Sequence, residues 1–527
     1  MYDLLIKGGK VVDGSGAPWF RADVAVAGDR IAAVGNLDGA KAVQVVEAGG
    51  QCVSPGFIDI HSHSDTTILV NPRAESKIRQ GVTTEVIGQC GSSAAPIAAR
   101  SVEFARGMAK EYGIEITWDT MAGYVREVTR RGVAVNIVPV VGHNAIRTAV
   151  MGYERRVPSP EELAAMCDLV AQACADGARA FSSGLIYPPS AYADSDELAA
   201  LCAAAARYGA IYMTHMRNEG DGLLDSIRET VDVARRAGIP VQISHHKAVG
   251  RDNWGKVRES LAMLEEARRG GVDVTCDQYP YVASSTGLSS VIPQWAHEGG
   301  PARLLQRLRD PEDGLRIRRE MEQAAIKRGG WDEVLIAGTA LPELKQWEGK
   351  TVEQIGQARR TDPITAVFDL LLAGKYVGMI RFGMSEEDVK TVMRHPLVMV
   401  GSDGSCLADY GPLSAGKPHP RNYGTFVRVL GKYVREEGNL SLEEAVRKMT
   451  SLPAARIKLA DRGLLRPGLA ADITVFDPDT VAERATFVEP HQYAGGISLV
   501  VVNGRVAVSS GEHTGQLAGR VLVRRDS

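Results

Sequence analysis

Two histidines separated by one residue close an apolar run, Phe57-Ile58-Asp59-Ile60-His61-Ser62-His63. Successive side chains of a strand face opposite ways, so His61 and His63 share a face and their imidazoles converge on one point, as in a metal clamp. Further ligand types stand at the ends of other apolar runs: Cys90 in Val86-Ile87-Gly88-Gln89-Cys90-Gly91, His215 in Ile211-Tyr212-Met213-Thr214-His215, His245 in Val241-Gln242-Ile243-Ser244-His245, and Asp403 in Val398-Met399-Val400-Gly401-Ser402-Asp403. A thiolate flanked by glycine can approach a divalent cation closely. One cysteine, several imidazoles and a carboxylate, with positions left open, form the ligand set of a catalytic zinc rather than of a closed structural one. Each residue alone is ordinarily explained by packing; their joint placement at strand ends argues for a site. His246 points away from His245 and reads as structural. His143, in Val140-Val141-Gly142-His143-Asn144, either touches the site or caps a loop.

Between about residues 52 and 450, apolar runs alternate with amphipathic, Ala-rich stretches such as 160–175, 195–208, 223–237 and 254–269, the pattern of βαβ units. Eight strands are expected, ending near His61, Gly88, Pro139, Ser183, Thr214, Ser244, Cys276 and Gly401. That implies an α/β fold, a (β/α)₈ barrel, whose chemistry sits on the loops at the C-terminal strand ends. Both ends of the chain are β-rich with glycine turns, which suggests a small β-sandwich of residues 1–52 plus 455–527 beside a catalytic barrel at 53–454. About 120 residues separate the seventh strand from the eighth, where a plain crossover needs only ~30. Residues 282–350 are therefore expected to form an inserted, lid-like subdomain near the barrel mouth.

The 527 residues carry a net charge of −3 and no run of five like charges, which gives no footprint for nucleic acid or an anionic membrane surface. A small neutral or mixed substrate fits better. The N-terminus lacks a basic segment followed by a long apolar stretch, and no run of about 18 apolar residues occurs, so a soluble cytoplasmic protein is expected. Seven widely spaced cysteines argue against a disulfide framework.

The ligand order around the barrel resembles that of the amidohydrolase superfamily, and within it that of the D-aminoacylases, or N-acyl-D-amino-acid deacylases. The likeness runs from Leu5-Ile6-Lys7-Gly8-Gly9 through Pro55-Gly56-Phe57 to Pro467-Gly468-Leu469-Ala470-Ala471-Asp472-Ile473. Its discriminating stretches are Gly88-Gln89-Cys90-Gly91, Ser182-Ser183-Gly184-Leu185-Ile186-Tyr187-Pro188-Pro189, His215-Met216-Arg217-Asn218-Glu219 and Ser244-His245-His246-Lys247. The hydantoinase and dihydroorotase branches bridge two metals with a carboxylated lysine after strand four. Here Ala178-Arg179-Ala180-Phe181-Ser182-Ser183-Gly184-Leu185 contains no lysine, and the resemblance implies that Cys90 takes the bridging place.

The resemblance further implies one zinc held tightly by Cys90, His215 and His245, and a second, weaker position at His61, His63 and Asp403. Asp403 would serve as acid and base in hydrolysing the amide of a small N-acyl-D-amino acid, releasing a carboxylate and a free D-amino acid. Lys247 and Tyr279 would receive the substrate carboxylate, with Tyr187 and Arg217 as further candidates. The alternatives are a hydantoinase- or dihydropyrimidinase-like cyclic amide hydrolase and a non-catalytic scaffold of the same fold. In the insertion, Leu288, Val291, Ile292 and Trp295 against Arg303 and Arg307 lean toward hydrophobic substrate side chains.

Overall fold

The computed structural model describes residues 1–98, 102, 110 and 112–524. Its centre is a parallel barrel of strands paired in chain order: β1 (Phe57–Asp59), β2 (Val82–Ile87), β3 (Asn136–Gly142), β4 (Ala180–Gly184), β5 (Ile211–His215), β6 (Val241–Ile243), β7 (Val274–Gln278) and β8 (Val398–Val400). Every residue of these eight strands is buried, which is why they read as near-continuous apolar runs rather than as alternating ones. All eight expected strands are present, and their ends fall within three residues of the expected positions.

Helices cover the outside of the barrel for reasons written in the local sequence. The helix Pro160–Ala175 starts with a reciprocal cap, in which Ser159 accepts the Glu162 N–H and the Glu162 carboxylate accepts the Ser159 N–H, with proline in its first turn. The helix Leu223–Ala237 stops at Gly238, whose left-handed conformation ends the hydrogen-bond ladder. The helix expected from Trp254 begins instead at Val257, because Gly255 lies at φ +88°. At the barrel's N-terminal end, Ala454, Ile457 and Leu459 pack under the interior residues Ile58, Val86, Val138, Ile211 and Met399.

Strands from both ends of the chain share one nine-stranded sheet. The strand Tyr2–Val11 pairs antiparallel with Phe20–Ala27 on one edge. Its other edge is split between Ala42–Glu47 and Cys52–Pro55, and the latter leads on to Ile473–Phe476 and Ile497–Val502. Between β7 and β8 the chain leaves the barrel to build a three-stranded antiparallel sheet of Ala283–Gly287, Val377–Phe382 and Val334–Thr339, with Val377–Phe382 in the middle. This excursion runs past residue 350 because its central strand and the apolar helix Pro363–Leu372 come last in sequence. Leu288, Ile292, Ile317, Met321, Ile336, Ile355, Val367 and Met379 give it a core of its own. Among the described residues no helix is long and apolar enough to cross a membrane.

The barrel closes where β8 meets β1, and a buried lysine holds that seam. The Asp403 N–H donates to the His61 carbonyl at 2.8 Å and the His63 N–H to the Gly404 carbonyl at 2.9 Å, so the seam itself positions three candidate ligands. Beneath it, Lys77 Nζ lies 2.7 Å from Asp59 Oδ2, 2.5 Å from Ser402 Oγ and 3.5 Å from Glu85 Oε1, with none of these charged side chains reaching solvent. Burial alone would lower the lysine's pKa, and Asp59 and Glu85 overcome it, so the ammonium stays charged. Removing one member of a buried ionic cluster leaves the rest uncompensated. Lys77→Ala is therefore expected to destabilise the protein by about 3–5 kcal/mol, read as a shift of the midpoint in a urea titration; a change within about 0.5 kcal/mol, the size typical of neutral surface sites, would disprove the staple.

Candidate metal centre

At the C-terminal ends of β1, β2, β5, β6 and β8, the ligand atoms of His61, His63, Cys90 and Asp403 lie within 4.8 Å of one another, as do those of Cys90, His215 and His245. Cys90 belongs to both groups. Its Sγ is 3.3 Å from His61 Nε2 and 3.5 Å from His245 Nε2. His63 Nε2 meets Asp403 Oδ1 at 2.9 Å, and His61 Nε2 lies 3.4 Å from the same oxygen. The rings of His215 and His245 stand nearly perpendicular with centroids 4.3 Å apart. Of the five side chains around the sulfur, His63 is the most open, at 29 % exposed, against 10 % or less for Asp403, His215, His245 and His61.

Three of these ligands occupy backbone conformations that side chains rarely adopt. Cys90 has φ +52°, His245 +37° and Asp403 +51°, each costing about 1–3 kcal/mol. The surroundings over-determine them. Gly88 precedes Cys90 at φ +91°, where a Cβ would collide with the Val140 carbonyl oxygen, so only glycine lets the chain turn inward there. The His245 N–H donates to Asp277 Oδ1 at 2.8 Å.

A second ring of carboxylates orients the imidazoles. Asp277 Oδ1 lies 3.1 Å from His61 Nδ1, and Gln242 donates to Asp277 Oδ2 at 2.6 Å. Glu219 Oε1 lies 2.8 Å from His245 Nδ1 and accepts from Lys247 Nζ at 2.6 Å. Lys247 Nζ is also 2.7 Å from His245 Nδ1; with Glu219 on the Nδ1 side of His245 and Asp277 on that of His61, both rings present Nε2 to the sulfur.

The charges follow from this packing. Burial opposes ionisation of Cys90, and His61 and His245 overcome it, holding the thiol well below its usual range. Burial likewise works against Asp403, and Arg421, 2.8 Å from its Oδ2, together with His61 and His245 keeps it an anion. Both ring nitrogens of His215 are buried with no hydrogen-bond partner among the described residues. An orphaned imidazole beside a thiolate is what a cation-binding site requires, so the donor set fits a divalent cation.

The structure sorts the other expected site residues. Tyr279 is buried between Lys247 and Arg421, and its hydroxyl has no partner among the described residues. The Tyr187 ring stands edge-on to His215 at 5.1 Å. Lys247 is at the site, with its ammonium shared between Glu219 and the His245 carbonyl. Arg217 is not brought in: its guanidinium is held by Glu229 and by the carbonyls of Ala191 and Ala193. His246 turns away to Ser260. The apolar residues expected to meet a substrate side chain do not face the site. Leu288 and Ile292 lie in the insertion's own core with Val291 and Trp295 against it, while Arg307 is bound to the carbonyls of Ala296 and Glu298.

Sequence reasoning missed Asp277, Glu219 and Arg421. Asp277 shares the strand-end position of the other site residues and was readable on that ground. Glu219 lies within the stretch His215-Met216-Arg217-Asn218-Glu219 without a spacing that marks it. Arg421 arrives from the start of the helix Arg421–Arg428, which only the fold brings to Asp403.

A parallel eight-stranded barrel with a Cys/His/Asp cluster at its C-terminal mouth is the architecture of a metal-dependent hydrolase. The family model described as "Amidohydrolase family" matches residues 44–508. D-aminoacylase of Alcaligenes xylosoxydans xylosoxydans is 39 % identical, covering 99 % of this chain and 98 % of its own. N-acyl-D-glutamate deacylase of the same organism is 40 % identical over 100 % and 97 %. The crystal structure of N-acyl-D-glutamate deacylase from Bordetella bronchiseptica, complexed with zinc and a phosphonate mimic of the tetrahedral intermediate, superposes with a TM-score of 0.83 at 36 % identity, covering 99 % of this chain and 100 % of that one. This chain belongs to the amidohydrolase family, in the group of the D-aminoacylases, and is a hydrolase of that family.

Asp277 is fully buried, with Oδ1 against both His61 Nδ1 and the His245 N–H. Asp277→Asn is expected to weaken divalent-cation affinity by about 10–100-fold, measured by competition with a chromogenic chelator; unchanged affinity would show that the carboxylate does not orient the ligands.

Proposed function

We propose that this protein hydrolyses the amide bond of N-acyl-D-amino acids with zinc as cofactor, releasing a carboxylate and a free D-amino acid. The observation that carries the reading is the placement of Cys90 Sγ between the His61 and His245 imidazoles, common to both ligand groups. The full-length likeness to D-aminoacylase and to N-acyl-D-glutamate deacylase supports it. Cys90, His215 and His245 would hold one zinc tightly, and His61, His63 and Asp403 a second, weaker one. Zinc bound there supplies a Lewis acid for the amide carbonyl and lowers the pKa of water toward ~7.

The chain's own groups do the rest. Asp403 stays ionised, as a proton acceptor must, and Arg421 anchors its Oδ2 so that Oδ1 faces His61 and His63. Asp403 takes a proton from the attacking water and returns it to the leaving nitrogen, which departs as a neutral amine. The orphaned hydroxyl of Tyr279 and the guanidinium of Arg421 receive the substrate carboxylate, with Lys247 beside them and held by Glu219. Tyr187, next to His215, is a further contact for the substrate.

The cyclic-amide alternative is disfavoured because β4 carries no lysine. The scaffold alternative is disfavoured because all six ligand-type residues converge. With zinc content determined on the same sample, N-acetyl-D-amino acids are expected to be turned over and hydantoin not. The L-enantiomers should be slower by at least about tenfold, ~1.4 kcal/mol in the transition state; preferential turnover of hydantoin would overturn the assignment. Asp403→Ala is expected to lower kcat by about 10²–10⁴-fold while the cation at Cys90, His215 and His245 is retained. Wild-type turnover in that variant would remove Asp403 from the mechanism.

A further inference from the structure

A buried chain of polar groups, separate from the metal ligands, runs from the end of β3 to the loop that carries Tyr187. Ser190 Oγ is 2.8 Å from His143 Nδ1, and His143 Nε2 is 2.8 Å from Glu197 Oε1. The other oxygen of Glu197 accepts from Arg147, whose guanidinium also donates to the Arg156 carbonyl at 2.7 Å. Ser190, His143 and Arg147 are fully buried and Glu197 is 2 % exposed. The serine, histidine and glutamate have the composition of a hydrolytic triad, yet no solvent reaches the serine and its oxygen meets Nδ1. The arrangement is thus a fastening rather than a nucleophile.

What it fastens is the turn after β4. The Ser190 N–H donates to Asn144 Oδ1 at 2.8 Å, and Asn144 follows His143 directly, so two adjacent residues at the end of β3 grip one residue of the turn through both its backbone and its side chain. Tyr187 lies three residues earlier. Its carbonyl accepts from the Ala191 N–H at 2.9 Å, and its phenol takes a hydrogen bond from Thr286 Oγ1 of the insertion at 3.1 Å. The tyrosine is thereby held at two ends, by the barrel through Ser190 and by the insertion through Thr286, with its ring against His215.

We propose that His143 is a positioning residue for Tyr187: acting through Ser190, it sets how that phenol meets the substrate. His143 does this with both ring nitrogens, Nε2 against Glu197 Oε1 and Nδ1 against Ser190 Oγ. Glu197 is fixed in turn by the N-terminal end of the helix Ser195–Ala206 and by Arg147. The proposal rests on the deacylase reading for its substrate, while the contacts themselves do not.

The test is a double-mutant cycle between Ser190→Ala and Tyr187→Phe in the zinc-loaded enzyme with N-acetyl-D-methionine, and with a second N-acetyl-D-amino acid if that one is poor. Ser190→Ala removes one hydroxyl and leaves the His143–Glu197–Arg147 contacts in place, so it tests the link even if His143→Leu fails to fold. Each single variant is expected to lower kcat/KM by about tenfold or more, since small displacements of a positioning group cost that much. The double variant should be little worse than Tyr187→Phe alone, with zinc content unchanged. Wild-type kcat/KM in Ser190→Ala, or losses that multiply in the double variant, would overturn the proposal. Absence of turnover by the wild type on every N-acyl-D-amino acid would instead count against the deacylase reading.

Discussion

Negative charge on a sulfur atom survives inside a protein only beside cationic partners, and the barrel mouth is organised around that constraint. The contrast among the chain's own cysteines makes the point. Cys52, Cys174 and Cys406 are buried, and burial, the largest influence at each, pushes each thiol up to about 12. Cys90 is as deeply buried, yet its thiol falls well below the usual range because His61 and His245 face it. Those imidazoles keep Nε2 toward the sulfur because Asp277 and Glu219 occupy their Nδ1 sides, and the carboxylates are themselves held by Gln242 and Lys247. Charge thus alternates outward from the sulfur, and each layer makes the next one necessary.

Geometry is enforced by backbone as much as by charge. Cys90, His245 and Asp403 sit in left-handed conformations just past strand ends, where the regular ladder no longer dictates φ and ψ. Strain of that kind persists only where rigid neighbours leave no alternative. The strands provide them: buried β2 and β3 crowd the Gly88 turn, Asp277 of β7 captures the His245 N–H, and the seam between β8 and β1 pins Asp403 to His61. The buried Lys77 cluster under that seam links barrel closure to ligand placement, so the element that completes the fold also completes the site.

The insertion stands in a different relation to the chemistry. Its core is separate from the barrel's. Its strand Ala283–Gly287 meets the site: the Ala283 and Ser285 carbonyls accept from His419 and Arg421, and Thr286 holds Tyr187. Its large apolar side chains, Leu288, Ile292 and Met379 among them, are turned inward on one another.

The local sequence determined the eight strands, the helix caps and the residue types at the strand ends, since burial on both faces, capping and ligand chemistry are properties of short stretches. His61, His63, Cys90, His215, His245 and Asp403 could be gathered because a barrel sends every strand end to one face, a rule that needs only the strand count. Asp277 was within the same rule's reach. Tertiary structure alone decided that Arg217 is tied to Glu229, that Lys247 is shared with Glu219, that Arg421 reaches Asp403, and that Leu288 and Ile292 belong to a core rather than to a pocket wall. The division has a physical cause. A residue's chemistry and its strand position are fixed by neighbours in the chain, whereas the partner that takes up its charge or its apolar surface arrives from residues tens to hundreds of positions away, and only the folded packing selects it.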